Sequence, residues 1–268
     1  SRGSMITQTK NETVLALPKS EAGAELIELI NNRIKPNQPL KEDDVFIRKM
    51  FLGSDQINSF GGRFDRNELA IMAELVVDAP VLVGHDHQKL PIGRNFKAEI
   101  VEKNGTAWLV TNFYWLQSAL GAENLAKNID GGIYKEVSAA FLFETPECSI
   151  CGRDIRMCEH VPFRRYTLPS GSFAPAFFWY RNVFKVLETS LVFRGAVLGT
   201  RITAPMPESE GAQEVFTTKQ LCEKPPGPDE DSNGFTDDRA RATCPYKPAI
   251  LQQLWSEGRR GPYSRGML

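Results

Sequence analysis

The stretch "IYKEVSAAFLF", residues 133–143, decides the fold because the character of its side chains alternates with a period of two. One face carries Ile133, Lys135, Val137, Ala139, Phe141 and Phe143, and the other carries Tyr134, Glu136, Ser138, Ala140 and Leu142. Successive side chains of a β-strand point to opposite faces of its sheet. The pattern therefore predicts a strand over residues 133–143.

Further strands are predicted on both sides of this one. They are expected at residues 45–52, at a segment that follows Asp78-Ala79-Pro80 and ends at His85, and at residues 94–102, 106–114 and 183–193. The sequence Lys103-Asn104-Gly105 predicts a tight hairpin, because Asn and Gly tolerate the positive φ of a two-residue turn. Strands and helices do not alternate regularly, so we expect an α+β fold with a mostly antiparallel sheet rather than a parallel one.

Helices are predicted in three places. Apolar residues at helical spacing favour a helix over residues 21–34, capped by Ser20 and stopped by Pro36. A second is expected over residues 66–77, where "DRNE", residues 65–68, has the form of a capping box. A third, over residues 116–129, is expected to end at Gly131-Gly132.

Composition narrows the classes of protein. The 268 residues fit one large domain, and the net charge of −1 gives no electrostatic reason to expect a nucleic-acid partner. No apolar run approaches the roughly 20 residues of a membrane helix, so we expect a soluble protein that does not bind membranes. Five cysteines, three of them between Cys148 and Cys158, favour metal ligation or free thiols over a secreted disulfide framework.

The chain is expected to divide into three parts. Residues 1–4 have the form of a tag remnant before Met5, with no signal peptide after it. Residues 5–203 form the expected folded domain. Residues 204–268 are rich in Pro, Gly and acidic residues, which predicts a linker and a partly disordered tail, although the apolar residues around Trp255 could dock as a short helix.

A candidate metal site lies in "PECSICGRDIRMCEH", residues 146–160. A Cys-x-x-Cys-Gly turn lets two thiolates reach one ion, and a further Cys and His complete a zinc tetrahedron. The candidate ligands are Cys148, Cys151, Cys158 and His160. Four protein ligands leave no open position, so a zinc ion here would be structural, and the competing interpretation is a loop of reduced thiols.

The two remaining histidines lie in "VLVGHDHQKLPIG", residues 81–93. A metal centre at His85 and His87 would need further ligands, which no His-rich segment supplies. The alternatives are a catalytic base and a pair of solvated loop histidines. Ser138, taken alone, is more typical of a buried serine with a hydrogen-bond partner than of a nucleophile.

The order of motifs adds information that the separate residues lack. An "HD…PIG" segment, a hairpin, a helix, "KEVSAAF" at residues 135–141 and "LETSLVFRG" at residues 187–195 together resemble the serine protease family that matures the proheads of tailed phages. That family is related in fold to the herpesvirus assemblins. The resemblance covers residues 45–202 and implies a mostly antiparallel, assemblin-like β-barrel with flanking helices, to which residues 146–166 add a zinc-knuckle-like insertion.

The resemblance also implies a catalytic set. The family's base falls on His85, its nucleophile on Ser138 and its acidic residue on Glu188. Glu136 remains the rival acid because it shares a strand face with Ser138, and His87 remains the alternative base. The Arg194-Gly195 turn resembles the loop that supplies oxyanion donors in the assemblins.

The resemblance therefore implies a serine endopeptidase of Ser-His-Glu type that needs no cofactor for catalysis. The implied substrates are the scaffolding protein, the major capsid protein and the protease itself, with cleavage inside the assembling prohead in the host cytoplasm and possible self-association. The alternative from another class is a noncatalytic, zinc-stabilised capsid assembly or scaffold protein.

Overall fold

The computed structural model describes residues 19–203 and 264–268. The described residues belong to two compact units, which divide between Glu42 and Asp43. No helix among these residues is long and apolar enough to cross a membrane. The predicted helix around Trp255 and most of the predicted tail lie outside the described residues.

The first unit contains helix α1, Lys19–Arg33. The helix confirms the predicted element, but it begins at Lys19, so Ser20 lies inside it and is not its cap. In the last turn of the helix, the side chain of Asn31 exchanges two hydrogen bonds with the backbone of Leu40, at 2.8 and 3.0 Å. These bonds satisfy backbone groups of the segment that follows the helix.

The second unit contains the sheet and two helices. Its strands are β1 Val45–Ser54, β2 Gly62–Arg63, β3 Pro80–Val83, β4 Gly93–Lys103, β5 Thr106–Leu116, β6 Glu136–Cys148, β7 Arg165–Thr167, β8 Phe173–Pro175, β9 Phe178–Val192, β10 Arg201–Thr203 and β11 Ser264–Met267. Its helices are α2 Arg66–Leu75 and α3 Ala122–Asp130, and a short 3-10 turn lies at Ile155–Met157. A second 3-10 turn, Glu42–Asp44, spans the division between the units.

The main sheet is mixed and curls into a half-barrel. Its strands lie in the order β10-β1-β5-β4-β3-β9-β6-β11, with β2 added beside β9, while β7 and β8 form a separate ribbon. The α+β class is confirmed, but the expectation of a mostly antiparallel barrel is met only in part, because β3 and β2 both run parallel to β9. A hydrogen bond of 2.8 Å from Ile202 N to Lys135 O brings β10 beside the chain that enters β6.

Helix α2 shows half of the predicted capping box. Asp65 accepts a hydrogen bond from Glu68 N at 2.9 Å, as a capping residue does. The Glu68 carboxylate does not return to the cap; it accepts from the backbone amides of Asn182 and Val183 in β9 at 2.8 and 3.0 Å. The helix is thereby tied to the long central strand.

Several predicted boundaries are wrong, each for a physical reason. The amides of Ile133 and Tyr134 both donate to Asn128 O at the end of α3, so they are not available to the ladder, and β6 begins at Glu136. The third helix begins at Ala122 because residues up to Leu116 still pair in β5.

The two central strands extend further than predicted. The ladder of β6 and β9 continues from Thr145↔Arg181 to Cys148↔Phe178, which lengthens both strands. Two further strands, β10 and β11, follow β9 in the chain and are not among the predicted strands. The hairpin is confirmed, with φ of 52° at Asn104 and 74° at Gly105.

Candidate active site

The predicted nucleophile lies at the centre of the sheet. Strands β6 and β9 pair antiparallel, with Ser138 directly opposite Ser190 and Ala140 directly opposite Glu188. Directly opposite residues share a face and have Cβ atoms about 4.5–5.5 Å apart, and positions two apart on a strand share a face too. Ser138, Ser190 and Glu188 therefore lie on one face of the sheet.

The loop after β3 brings His85 to this group. Strand β3 runs parallel to β9 with Leu82 in register with Ser190, and the chain then turns through Gly84 and His85, whose φ values are 64° and 57°. Few residues other than Gly adopt this left-handed conformation without cost, so the turn needs support. The amide of His85 supplies it by donating to Ser190 Oγ at 3.1 Å.

Glu188 connects the histidine to the sheet. Its side chain is 1% exposed, and its Oε1 lies 2.6 Å from His85 Nδ1. Its Oε2 accepts a hydrogen bond from Ser190 Oγ at 2.7 Å. A carboxylate can only accept, so the shared proton belongs to Nδ1 of the imidazole, which leaves Nε2 as the nitrogen that can accept a proton.

The rival acid has a different partner. Glu136 shares the Ser138 face of β6, but its Oε2 accepts a hydrogen bond of 2.8 Å from Gly195 N. A Cβ atom on Gly195 would lie 2.6 Å from Val137 O, so the turn after β9 packs closely on the strand of Ser138. The Gly195 amide is thus engaged by Glu136 in this structure and does not face a substrate oxygen.

His87 lies at the rim of the group. Its side chain is 48% exposed, and its Nε2 is 3.9 Å from Glu188 Oε1. The same nitrogen lies 2.8 Å from the guanidinium of Arg265. His85 is therefore the histidine that the structure joins to the buried carboxylate, and His87 contacts strand β11.

Strand β11 reaches the predicted nucleophile. The Ser138 hydroxyl donates a short hydrogen bond to the main-chain carbonyl of Leu268, and Leu268 N donates to Ala139 O at 2.9 Å. Ser138 and Leu268 are both buried. The carbonyl of an extended segment thus lies beside the hydroxyl of the predicted nucleophile.

A second site lies where β6 ends. The ligand atoms of Cys148, Cys151, Cys158 and His160 all lie within 4.8 Å of one another, which is compatible with a structural metal ion. In the turn after Cys148, the amide of Ile150 donates a hydrogen bond of 3.4 Å to Cys148 Sγ. His160 Nδ1 is buried, and the described residues offer it no hydrogen bond.

The electrostatics of this cluster differ from thiol to thiol. Burial opposes ionisation of Cys151, but hydrogen bonds with Arg153, His160 and Cys148 outweigh it and lower the pKa of this thiol to about 6. Burial raises the pKa of Cys158 to about 12. A bound cation would reverse the second effect, because metal coordination deprotonates thiols.

Sequence reasoning missed two parts of the site. Ser190 lies two positions after Glu188 in the motif that located the acid, so the period of two in β9 places both on one face. The second is strand β11, since the segment "SRGML", residues 264–268, carries no strand pattern.

Comparisons with known proteins add no assignment. No protein-family model matches this chain, and neither a curated protein nor a solved structure matches it.

Proposed function

We propose that this protein is a serine endopeptidase with Ser138 as nucleophile, His85 as general base and Glu188 as the acid that orients the base. The observation that carries the proposal is the hydrogen-bonded group of His85, Glu188 and Ser190 on the same sheet face as Ser138. A nucleophile, a base and a buried orienting group are the parts that acyl transfer requires.

The chemistry follows from these partners. His85 Nε2 accepts the proton of Ser138 Oγ as the oxygen attacks a peptide carbonyl. The imidazolium then protonates the departing amine, and an acyl-enzyme remains on Ser138. Water, deprotonated by the same histidine, hydrolyses the ester and regenerates the hydroxyl. Glu188 holds the productive tautomer throughout and stabilises the imidazolium.

A fluorophosphonate probe tests the proposal. We expect it to modify the protein once, with the added mass on the peptide that contains Ser138. Ser138→Ala should abolish labelling, while Ser172→Ala, a serine on the exposed ribbon loop, should leave it unchanged. Absence of labelling in the folded protein, also in a variant that frees Ser138 from Leu268, would reject the enzyme and favour the noncatalytic scaffold protein.

We further propose that the Cys/His cluster binds one structural zinc ion. Cys148, Cys151, Cys158 and His160 are four ligands of the types that zinc prefers, already close enough to share one ion. An unpaired buried ring nitrogen is costly, so His160 Nδ1 is the candidate donor atom of that histidine. Metal analysis should find about one zinc per chain.

The biological role that we propose is maturation of a phage prohead, within the host cytoplasm. This role rests on the order of the motifs. With it we propose that the half-barrel has an assemblin-like fold. The proposed substrates are the scaffolding and major capsid proteins encoded in the same genome, and the protease itself. Co-expression with these proteins should yield shortened products that Ser138→Ala does not produce.

A further inference from the structure

Strand β11 lies on the edge of β6, the strand that carries Ser138. The two strands pair antiparallel from Ser264↔Phe143 to Met267↔Ala140, and the hydrogen bond from Leu268 N to Ala139 O continues the ladder. Addition of an extended strand to a sheet edge is a common way to bind a peptide, because backbone bonds supply affinity and alternate side chains enter pockets.

The side chains of the segment alternate in burial as this binding mode requires. Ser264, Gly266 and Leu268 face the protein and are buried, while Arg265 and Met267 are half-buried. Arg265 lies along the rim, where its guanidinium contacts His87. These three inward-facing positions, each two residues from the next, therefore determine which peptide sequences can bind to the edge of β6.

The first inward position is the one next to the nucleophile. Leu268 is fully buried in the hydrophobic core cluster while its carbonyl accepts from Ser138 Oγ. Gly53 of β1 forms one wall of its pocket: a Cβ atom there would lie 2.9 Å from Leu268 Cδ1, and the other close atoms also belong to Leu268. The pocket fits a branched apolar side chain.

The second inward position accepts only glycine. A Cβ atom on Gly266 would lie 2.2 Å from the ring of Phe141. That ring cannot move aside easily, because Phe64, Phe143 and Tyr180 pack around it with centroids 5.0–5.8 Å away. Any side chain at this position would force the segment off the edge.

The third inward position contacts the Cys/His insertion. Ser264 Oγ accepts a hydrogen bond of 2.6 Å from Arg156, and Arg156 is held by Asp154. Both residues lie between Cys151 and Cys158 in the candidate metal cluster. A metal ion there would fix the loop that supplies this contact, so the insertion completes the peptide-binding edge.

We propose that the edge of β6 is the substrate site, that it selects peptides of the pattern Ser-x-Gly-x-Leu, and that cleavage follows the leucine. Residues 264–268 of the chain occupy this site and compete with substrates. The inference rests on the proposed function, since it takes Ser138 as the nucleophile. Ser138 Oγ attacks the leucine carbonyl, the bond from that carbonyl carbon to the next nitrogen breaks, and the amine leaves with the proton from His85.

The first experiment opens the site in the full chain. Gly266→Val cannot fit against Phe141, so we expect it to release the segment and to raise the rate of fluorophosphonate labelling of Ser138 by about tenfold or more, as loss of a tethered competitor does. Ala119→Val, in the exposed turn after β5, introduces the same side chain and should leave the rate unchanged. Circular dichroism checks that both variants fold.

The second experiment measures specificity with coumarin amides of short peptides. Acetyl-Ser-Arg-Gly-Met-Leu-coumarin should be hydrolysed about 10- to 100-fold faster than the peptides with Val for Gly or Asp for Leu. The free acid Ser-Arg-Gly-Met-Leu should slow labelling of Gly266→Val, and its Val analogue should not. If Gly266→Val does not fold, the hydrolysis ranking in the wild-type protein decides.

The outcomes separate the two proposals. Labelled Ser138 with equal hydrolysis of the Gly and Val peptides would overturn the substrate pattern and leave the protease intact. Unchanged labelling in a folded Gly266→Val would overturn occupation of the site by residues 264–268. Unlabelled Ser138 in both folded proteins would reject the nucleophile, and with it both proposals.

Discussion

Glu188 Oε1 lies 2.6 Å from His85 Nδ1, and this contact joins the loop between β3 and β4 to β9, the longest strand that the structure describes. The carboxylate is buried, and its second oxygen is bonded to Ser190. Both oxygens are thus held by side chains of the protein itself. Such preorganisation is what keeps an imidazole in one tautomer.

The first prediction follows from this contact. Glu188→Gln should lower the maximal cleavage rate by about two to four orders of magnitude, because an amide does not enforce the productive tautomer. Glu136→Gln should cost about tenfold or less, since Glu136 bonds to Gly195 N and acts only through that turn. Single-turnover kinetics measure both rates. The reverse ranking would move the orienting role to Glu136.

The second prediction concerns the two histidines, His85 and His87. His85→Ala should reduce cleavage to the level of Ser138→Ala, because both remove a step of the same proton transfer. His87→Ala should retain cleavage and change mainly KM, since His87 contacts Arg265 at the rim. Steady-state kinetics with the Leu-coumarin peptide separate kcat from KM. An inactive His87→Ala beside an active His85→Ala would contradict the assignment of the base.

The third prediction concerns Ser190, which accepts from His85 N and donates to Glu188 Oε2. Ser190→Ala should lower kcat by about tenfold and leave KM nearly unchanged, because it loosens the base without touching the peptide. Stability should fall by about 1 kcal/mol, as expected for a lost buried hydrogen bond. Ser190→Cys should restore part of kcat if the hydroxyl acts as a hydrogen-bond partner; equal losses in both variants would indicate a packing role alone.

The sequence predicts the central strands because their alternation is a local property. The alternation of Val137, Ala139 and Phe141 locates β6, and the Asn104-Gly105 turn locates the hairpin, since both depend on neighbouring residues. Strand ends are less predictable, as at Ile133, where a helix-end turn takes the amide that the ladder would need. Parallel pairing of β3 with β9 joins segments about a hundred residues apart, and no local pattern encodes it.

The candidate site likewise contains residues that the sequence predicts and contacts that it does not. Order and spacing of motifs point to His85, Ser138 and Glu188, and the Cys-x-x-Cys turn points to the metal cluster. The choice between Glu188 and Glu136 depends on the partner of each carboxylate, which spacing does not contain. The residues of β11 fall within the predicted linker and partly disordered tail because polar and Pro-rich residues precede them. The position of the strand depends instead on contacts with Phe141 and Gly53, which lie far away in the chain.

The fourth prediction concerns removal of the proposed zinc ion from the Cys/His cluster. Cys151→Ser, or a chelator, should lower the Tm by several degrees, because ion binding to a preformed cluster is coupled to folding. Cleavage per folded molecule should fall less, since the ligands do not touch Ser138. Cys222→Ser, outside the described residues, provides the matched control. A protein that contains no metal, and whose cluster thiols alkylate without loss of structure, would exclude the structural ion.

The fifth prediction uses Gly53, because the three atoms nearest to a Cβ added there all belong to the Leu268 side chain. Gly53→Ala should therefore fold normally, with its preference at the cleaved position shifted from Leu towards Ala. We expect kcat/KM for the Leu peptide to fall about tenfold, the effect of roughly one methyl group in an apolar pocket, while that for the Ala peptide stays level or rises. The ratio of the kcat/KM values for the two peptides, measured in one mixture, does not depend on the fraction of protein that is folded. An unchanged ratio would show that Gly53 does not line the leucine pocket during cleavage, even if Ser138 is the nucleophile.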